Sequence, residues 1–345
     1  RVFEVIEGHC TGRGMALLLV THDLKAAARL CDRIAVLKDG RMVEAGDKLE
    51  VLGHPRHDYT RALAAAGRHR ARTLMRTPIG GTLLDVRAVS RRYRQPDVSL
   101  FEPRPPVMAL DGVSLAMRGG ESVALVGPAG AGKSTLGRIV AGLERATAGE
   151  LQFDGLVYHG TDLPWRIRRD ITLVSADPAH AFDPRLSVGE SVAEPMRLET
   201  QRPLGELSAR LVEMVSAVGL SPDLLGRLPA EFSPGDLQRL AIARALTTRP
   251  RLIVLDEPVR RLDIAARGEI VVLLNRLRAD FGLSFLLISH DLEVVRIVAD
   301  RVLVMDRGRI VETGAPAQLF DKPQQPLTRQ LVAAQLPDVG IVPVF

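Results

Sequence analysis

The chain has 345 residues, which against a prior of about 150 per domain suggests two or three units, and with 46% of them hydrophobic and 25% charged its composition is ordinary for a globular protein, which argues against a disordered or collagen-like one. No uncharged apolar run reaches the roughly 18 to 20 residues that cross a bilayer, and Cys10 and Cys31 lack framework or metal-ligand spacing, which argues against a disulfide scaffold and a zinc site. The net charge of +5 comes from 41 arginines against 5 lysines, without a basic block or interleaved aromatics, so composition gives no sign of a dedicated nucleic-acid surface.

The sequence opens at Arg1 without an apolar leader or a transit pattern and reads as an excerpt of a longer polypeptide. Its opening part returns later. Shifted by 268 positions, MALLLVTHDLKAAARLCDRIAVLKDGRMVEAG lies over LSFLLISHDLEVVRIVADRVLVMDRGRIVETG, with about 19 identities in the 50 positions from Leu17/Phe285 to Ala66/Ala334. Each copy predicts an apolar strand ending at Thr-His-Asp or Ser-His-Asp, an amphipathic helix, and two short strands about a Gly turn. The period far exceeds the 20 to 50 residues of solenoid repeats, so it marks a duplicated domain. The expected organisation is a C-terminal fragment of a first domain at 1–66, an Arg-rich polar linker at 67–81, a complete second domain at 82–337 and a tail at 338–345.

In the second domain an apolar strand at 122–126 runs into GPAGAGKST: Gly127, Pro128, Ala129, Gly130, Ala131, Gly132, Lys133, Ser134 and Thr135, followed by the helical pattern LGRIVAGL. This fits G-x-x-x-x-G-K-[ST], in which glycines permit a tight loop whose backbone N–H groups wrap a β-phosphate. Lys133 would neutralise β- and γ-phosphate charge, Ser134 would offer a hydroxyl to Mg²⁺, and the helix would turn its positive end to the same anion. Further on, the apolar run 252–255 ends in Asp256 and Glu257. A buried parallel strand reads this way, and acids at its C-terminal end face the crevice where ligands bind in such sheets. Asp256 is expected to hold Mg²⁺ through water and Glu257 to orient the attacking water. The run 283–288 ends at Ser289-His290-Asp291, which places His290 to bond the γ-phosphate and that water, and His22 holds the same place in the first copy.

In this order and at this spacing the motifs resemble an ATP-binding cassette ATPase over nearly the whole chain. The separation of 123 positions from Lys133 to Asp256 leaves room for the helical subdomain that the family inserts. The resemblance implies an α/β fold: a P-loop NTPase (RecA-like) core sheet with an antiparallel β subdomain and a helical subdomain, preceded by the C-terminal part of a second copy. FSPGD at 232–236 stands where the family has its LSGGQ signature, with Ser233 and Gly235 matching. Tyr93, in RRYRQP, stands where an aromatic usually stacks on adenine; Phe101 is the alternative, and a plain strand aromatic is the third possibility. ITLVSADPAHAFDPRLSVGESVAEPM, HPRHDYTRALAAA and KPQQPLTRQLVAA are similar to segments of oligopeptide, dipeptide and nickel importer ATPases. What this implies is ATP and Mg²⁺ as cofactors, a second cassette in the same longer chain, two permease subunits, an extracytoplasmic solute-binding protein, no nucleic acid, and a peripheral place on the cytoplasmic face of the membrane.

Several residues depart from the family pattern. Ala176 stands in place of a Gln and has no hydrogen-bonding side chain. Pro234 replaces a Gly and Asp236 a Gln in the signature, while Arg260 and Arg261 occupy the small-residue part of a segment usually reading SALD, with Asp263 retained. The expectation is intact nucleotide binding with slowed hydrolysis. Two other readings compete with the importer: a cassette that mainly holds ATP as a regulatory partner, and a soluble cassette acting on ribosomes or DNA. Against the last stand the short linker, the lack of a Cys-rich insertion and the lack of a basic stretch with stacking aromatics.

Overall fold

The computed structural model describes residues 6, 8–10, 12, 15–21, 24–38, 40–66, 80–94, 106–198 and 204–334. They divide into two compact units, one of Arg1–Arg72, Leu262–Glu269 and Ala333–Phe345, the other of Thr73–Arg261 and Ile270–Val332. No helix among the described residues is long and apolar enough to cross a membrane.

The first unit runs from α1 (Leu24–Leu30) through β1 (Arg33–Lys38) and β2 (Arg41–Asp47) to α2 (Lys48–Gly53) and α3 (Asp58–Ala66). β1 and β2 form an antiparallel hairpin, and Asp47 caps α2 by accepting the Leu49 N–H at 2.8 Å. Ala28, Ile34, Val36, Val51 and Leu52 make its small core. The apolar strand expected at 15–20 is not formed: 15–21 carry no regular structure, and Leu18 and Val20 are each 92% exposed. A strand needs neighbouring strands for its N–H and C=O groups, and no strand among the described residues lies beside this segment.

The second unit opens with β3 (Thr82–Tyr93), β4 (Val107–Arg118), β5 (Ser122–Val126), α4 (Lys133–Val140), β6 (Ala148–Phe153), β7 (Leu156–Tyr158), α5 (Trp165–Arg168) and β8 (Ile171–Val174). Helices α6 (Val188–Ala193), α7 (Leu204–Ala217) and α8 (Pro234–Leu246) follow, then β9 (Leu252–Asp256), α9 (Ile264–Phe281), which spans both units, and β10 (Ser284–Ile288). The chain continues through α10 (Leu292–Val298), β11 (Arg301–Asp306), β12 (Arg309–Gly314), α11 (Pro316–Asp321) and α12 (Pro326–Ala333). One sheet is antiparallel, in the order β4-β3-β6-β7. The other runs β12-β11-β5-β10-β9-β8 and is parallel except for β12. β5 and β10 are buried along their whole length, which is why they read as unbroken apolar runs, and one core joins both sheets through Leu84, Leu125, Leu136, Phe153, Val254 and Ile288.

The repeat is visible residue by residue. α1, β1, β2, α2 and α3 fall at the same 268-residue offset from α10, β11, β12, α11 and α12, and both hairpins shift register at equivalent points, Val36/Leu37 and Val304/Met305. Each copy anchors its last helix alike. Glu44 accepts the backbone N–H groups of Arg56 and His57 at 2.8 and 3.1 Å, and Glu312 accepts those of Gln324 and Gln325 at 2.9 and 3.1 Å. Arg61 donates to the Arg56 carbonyl at 2.7 Å and Arg329 to that of Gln324 at 2.8 Å. Partial burial pushes the Glu312 carboxyl up, but the Thr328 hydroxyl and the two N–H groups outweigh it and hold the group below the usual range. Glu312→Ala leaves these donors without their acceptor, at about 1–3 kcal/mol for a charged hydrogen-bond partner. Amide exchange across 324–331 should then quicken about tenfold. Because the folded pKa is depressed, this anchor is present above the unfolded carboxyl pKa and is lost as pH falls through the folded value, so acidified wild type should show the same local loosening.

Candidate functional site

Strand order places the site. β10 lies between β5 and β9, β8 lies beyond β9, and all are parallel, so the segments leaving their C-terminal ends emerge side by side at spacings of about 4.8 Å. Those segments are the Gly-rich loop, His290, Glu257 and Ala176, four stretches far apart in sequence. A crevice at this edge is where open α/β sheets bind ligands.

The loop after β5 depends on glycine at two points. Gly127 has φ 148°, and a Cβ there would stand 2.2 Å from the Met305 carbonyl oxygen. Gly132, which precedes α4, has φ 99°, and a Cβ would stand 2.3 Å from the Ala109 carbonyl oxygen. Any side chain would be strained and would also collide with backbone. Lys133 opens α4, and its Nζ donates to the carbonyls of Gly127 and Pro128, each at 2.8 Å. Burial pulls its pKa below the ordinary lysine value, with Glu257 and Asp256 pulling the other way. A desolvated ammonium at the positive end of a helix is matched to an anion.

Ser134 donates to Asp256 Oδ1 at 3.0 Å, and burial pushes the Asp256 carboxyl above its usual range. A hydroxyl and a carboxylate in contact are hard oxygen donors of the kind Mg²⁺ takes, so this pair fits the ion and would hold it. The ion would supply neutralisation of phosphate charge there.

Glu257 follows directly with φ 53°, a left-handed conformation that costs a residue other than glycine about 1–3 kcal/mol. It is held there by its N–H donating to the Ile288 carbonyl at 2.9 Å and by a turn in which the Arg260 N–H reaches the Glu257 carbonyl at 3.2 Å. Its carboxylate lies 2.7 Å from His290 Nδ1, and that contact raises the imidazole pKa against the opposing effect of burial. The structure therefore brings together Lys133, Ser134, Asp256, Glu257 and His290.

Tyr93 ends β3 with its hydroxyl 3.3 Å from Thr135 Oγ1, and the Arg91 guanidinium lies 4.8 Å from its ring centre. Glu144 ties this corner together by accepting from Arg91 at 2.8 Å and Arg138 at 3.1 Å. Sequence reasoning missed Glu144, because Arg91 lies 53 positions before it and the three residues carry no common pattern. Phe101, the alternative aromatic, and His22, the first-copy histidine, lie outside the described residues.

The signature-like segment begins α8. Ser233 is its N-cap, Pro234 takes the first helical position, and Gly235 is half-buried. Asp236 donates its N–H to Ser233 Oγ at 3.2 Å, and Ser233 Oγ donates to Asp236 Oδ2 at 2.7 Å. The hydroxyl and the helix end are thus already occupied by a carboxylate of the chain itself. Ala176 is half-buried after β8 and presents only a methyl group.

Comparison with known proteins gives concordant results. The family described as ABC transporter matches residues 110–260. The chain is 37% identical over 348 residues to the glutathione import ATP-binding protein GsiA of Escherichia coli strain K12, covering 93% of this chain and 56% of that protein, and 36% identical to the Shigella flexneri protein of the same name. It therefore spans about half the length of the curated relatives it matches. Among solved structures it is similar to the ATP-binding cassette MJ0796, dimeric in a post-hydrolysis state with ADP and phosphate, at 28% identity and a TM-score of 0.59, covering 68% of this chain and 99% of that one. CbiO1 from Clostridium perfringens, part of the transporter complex cbiONQ, gives 26% identity and a TM-score of 0.60, covering 70% of this chain and 92% of that one.

Proposed function

The chain belongs to the ABC transporter ATPases, and from that premise we propose that it is the ATP-binding and ATP-hydrolysing part of an importer for peptides, glutathione or a related small solute. One observation carries the catalytic side of this reading: the Ser134–Asp256 and Glu257–His290 pairs stand at one sheet edge beside Lys133. In this reading the Gly-rich loop and Lys133 bind the β- and γ-phosphates, Ser134 and Asp256 hold Mg²⁺, Glu257 accepts a proton from the attacking water, and His290 orients Glu257. Tyr93 receives the adenine. Residues 1–66, 67–81 and 82–337 act as a first-cassette fragment, a linker and a second cassette of one longer chain, and the exposed Leu18 and Val20, equivalent to the buried Leu286 and Ile288, favour that division. Partners are the other cassette, two permease subunits at the cytoplasmic face and an extracytoplasmic solute-binding protein. The test is recovery of the intact protein from membranes: co-purified permease subunits and ATPase activity that rises with solute-loaded binding protein are expected, whereas recovery with ribosomes or DNA would overturn the importer.

The tied Ser233–Asp236 pair favours a slow composite site wherever this segment faces ATP held by the other cassette. Pro234 offers no backbone N–H, and a carboxylate about 6 Å from a phosphate charge costs at most roughly 3 kcal/mol at an effective dielectric near 20. Pro234→Gly with Asp236→Gln should therefore raise turnover of the full-length protein several-fold. An unchanged rate would remove this asymmetry.

A further inference from the structure

Where β8 and β9 end, the two segments at the sheet edge are joined by an ion pair. β8 pairs with β9 in parallel, Val174 opposite Leu255, so Ser175–Asp177 leave the sheet beside Asp256–Pro258. Arg261 NH1 lies 2.5 Å from Asp177 Oδ2, and His180 Nδ1 lies 2.6 Å from the same oxygen. Asp177 is 21% exposed, and its other oxygen, Oδ1, is buried without a hydrogen-bond partner. On the other flank the Glu257 turn is fixed by Ile288 and His290. Arg261 follows the residue that closes that turn.

We propose that Arg261 is a positioning residue: through Asp177 it holds segment 175–182 against the Glu257 turn, a restraint that the Ala176 methyl group cannot supply. The proposal rests on the reading that ATP is hydrolysed at Glu257. An ion pair in which the arginine is 60% exposed adds little by itself, because water screens it. The orphaned Oδ1 makes the difference. Without Arg261, a partly desolvated carboxylate keeps His180 alone, and its least costly relief is to swing into water, taking the segment with it. A small residue at 261, as in the usual family segment, has no such reach.

The experiment uses the full-length protein with Arg261→Ala, Arg261→Lys, Asp177→Asn and the Arg261→Ala/Asp177→Asn double variant. Amide exchange of 175–182 without nucleotide reads the restraint, and steady-state ATPase kinetics read its consequence. Arg261→Ala and Asp177→Asn should each speed exchange about three- to tenfold and lower kcat several-fold at constant KM for ATP. The double variant should be no worse than either single, and Arg261→Lys should recover most of the loss. Unchanged exchange in Arg261→Ala, additive effects in the double variant, or faster exchange with unaltered kcat would each overturn the proposal. A wild-type protein that binds but never hydrolyses ATP would overturn the hydrolytic reading instead, and the exchange data would still decide whether Arg261 holds the segment.

Discussion

Glu257→Gln is expected to cut ATP turnover by at least a hundredfold while leaving ATP affinity within about twofold. The amide keeps the shape of the carboxylate and can still meet His290, so the left-handed turn and its bond to the Ile288 carbonyl are preserved. What it loses is basicity, and a positioned general base contributes about 10²- to 10⁴-fold. Steady-state kinetics with nucleotide titration on the full-length protein separate the two effects, and equal loss of binding and turnover would make Glu257 a structural residue. The same pair sets a pH dependence. His290 has a raised pKa, so the charged pair is present below the ordinary imidazole value of about 6.5 and is lost as pH rises through the higher folded value. A neutral imidazole can still orient the carboxylate through Nδ1–H but no longer holds it by opposite charge, which leaves it readier to take the water's proton, so the wild-type rate should climb through that interval.

Lys133→Ala is expected to weaken Mg-ATP binding by about tenfold to a hundredfold. In the free protein the ammonium is spent on two loop carbonyls, each 2.8 Å away, and burial has already lowered its pKa. Trading those neutral acceptors for anionic phosphate oxygens pairs the ammonium with opposite charge, worth roughly 1.5 to 3 kcal/mol where 1.4 kcal/mol is tenfold in affinity. Calorimetric titration on the folded variant measures this directly. Unchanged affinity would detach Lys133 from the nucleotide. The glycines on either side should keep the loop's shape in the variant, since their constraint comes from Met305 and Ala109.

The site was legible in the sequence wherever a short run carries its own geometry. Gly127–Thr135, Asp256-Glu257 and Ser289-His290 each sit at the end of a strand that the sequence predicts. The strand order that brings them together was not legible, because which parallel strand lies beside which is decided by packing of the whole sheet. Arg261 was read only as a departure from a family pattern; its contact with Asp177 spans 84 positions, and nothing local announces it. Glu44 and Glu312 were visible as one of the identities in the repeat, but their task was not, since their partners are backbone N–H groups that any residue other than proline supplies. The strand expected at 15–20 failed for the opposite reason: its local pattern is sound, and what it lacks is a neighbouring strand among the described residues.

That last segment has a consequence for solution behaviour. MALLLVT, residues 15–21, is an uncharged, proline-free stretch that belongs to no sheet among the described residues, while Leu18 and Val20 present nearly their full area to water. Covering one such side chain is worth about 1.5–3 kcal/mol, and two copies laid against each other there would cover several at once. A chain in this form therefore carries its own nucleus for self-association. Light scattering should rise with protein concentration, and Leu18→Lys with Val20→Glu should suppress the rise without touching the nucleotide site.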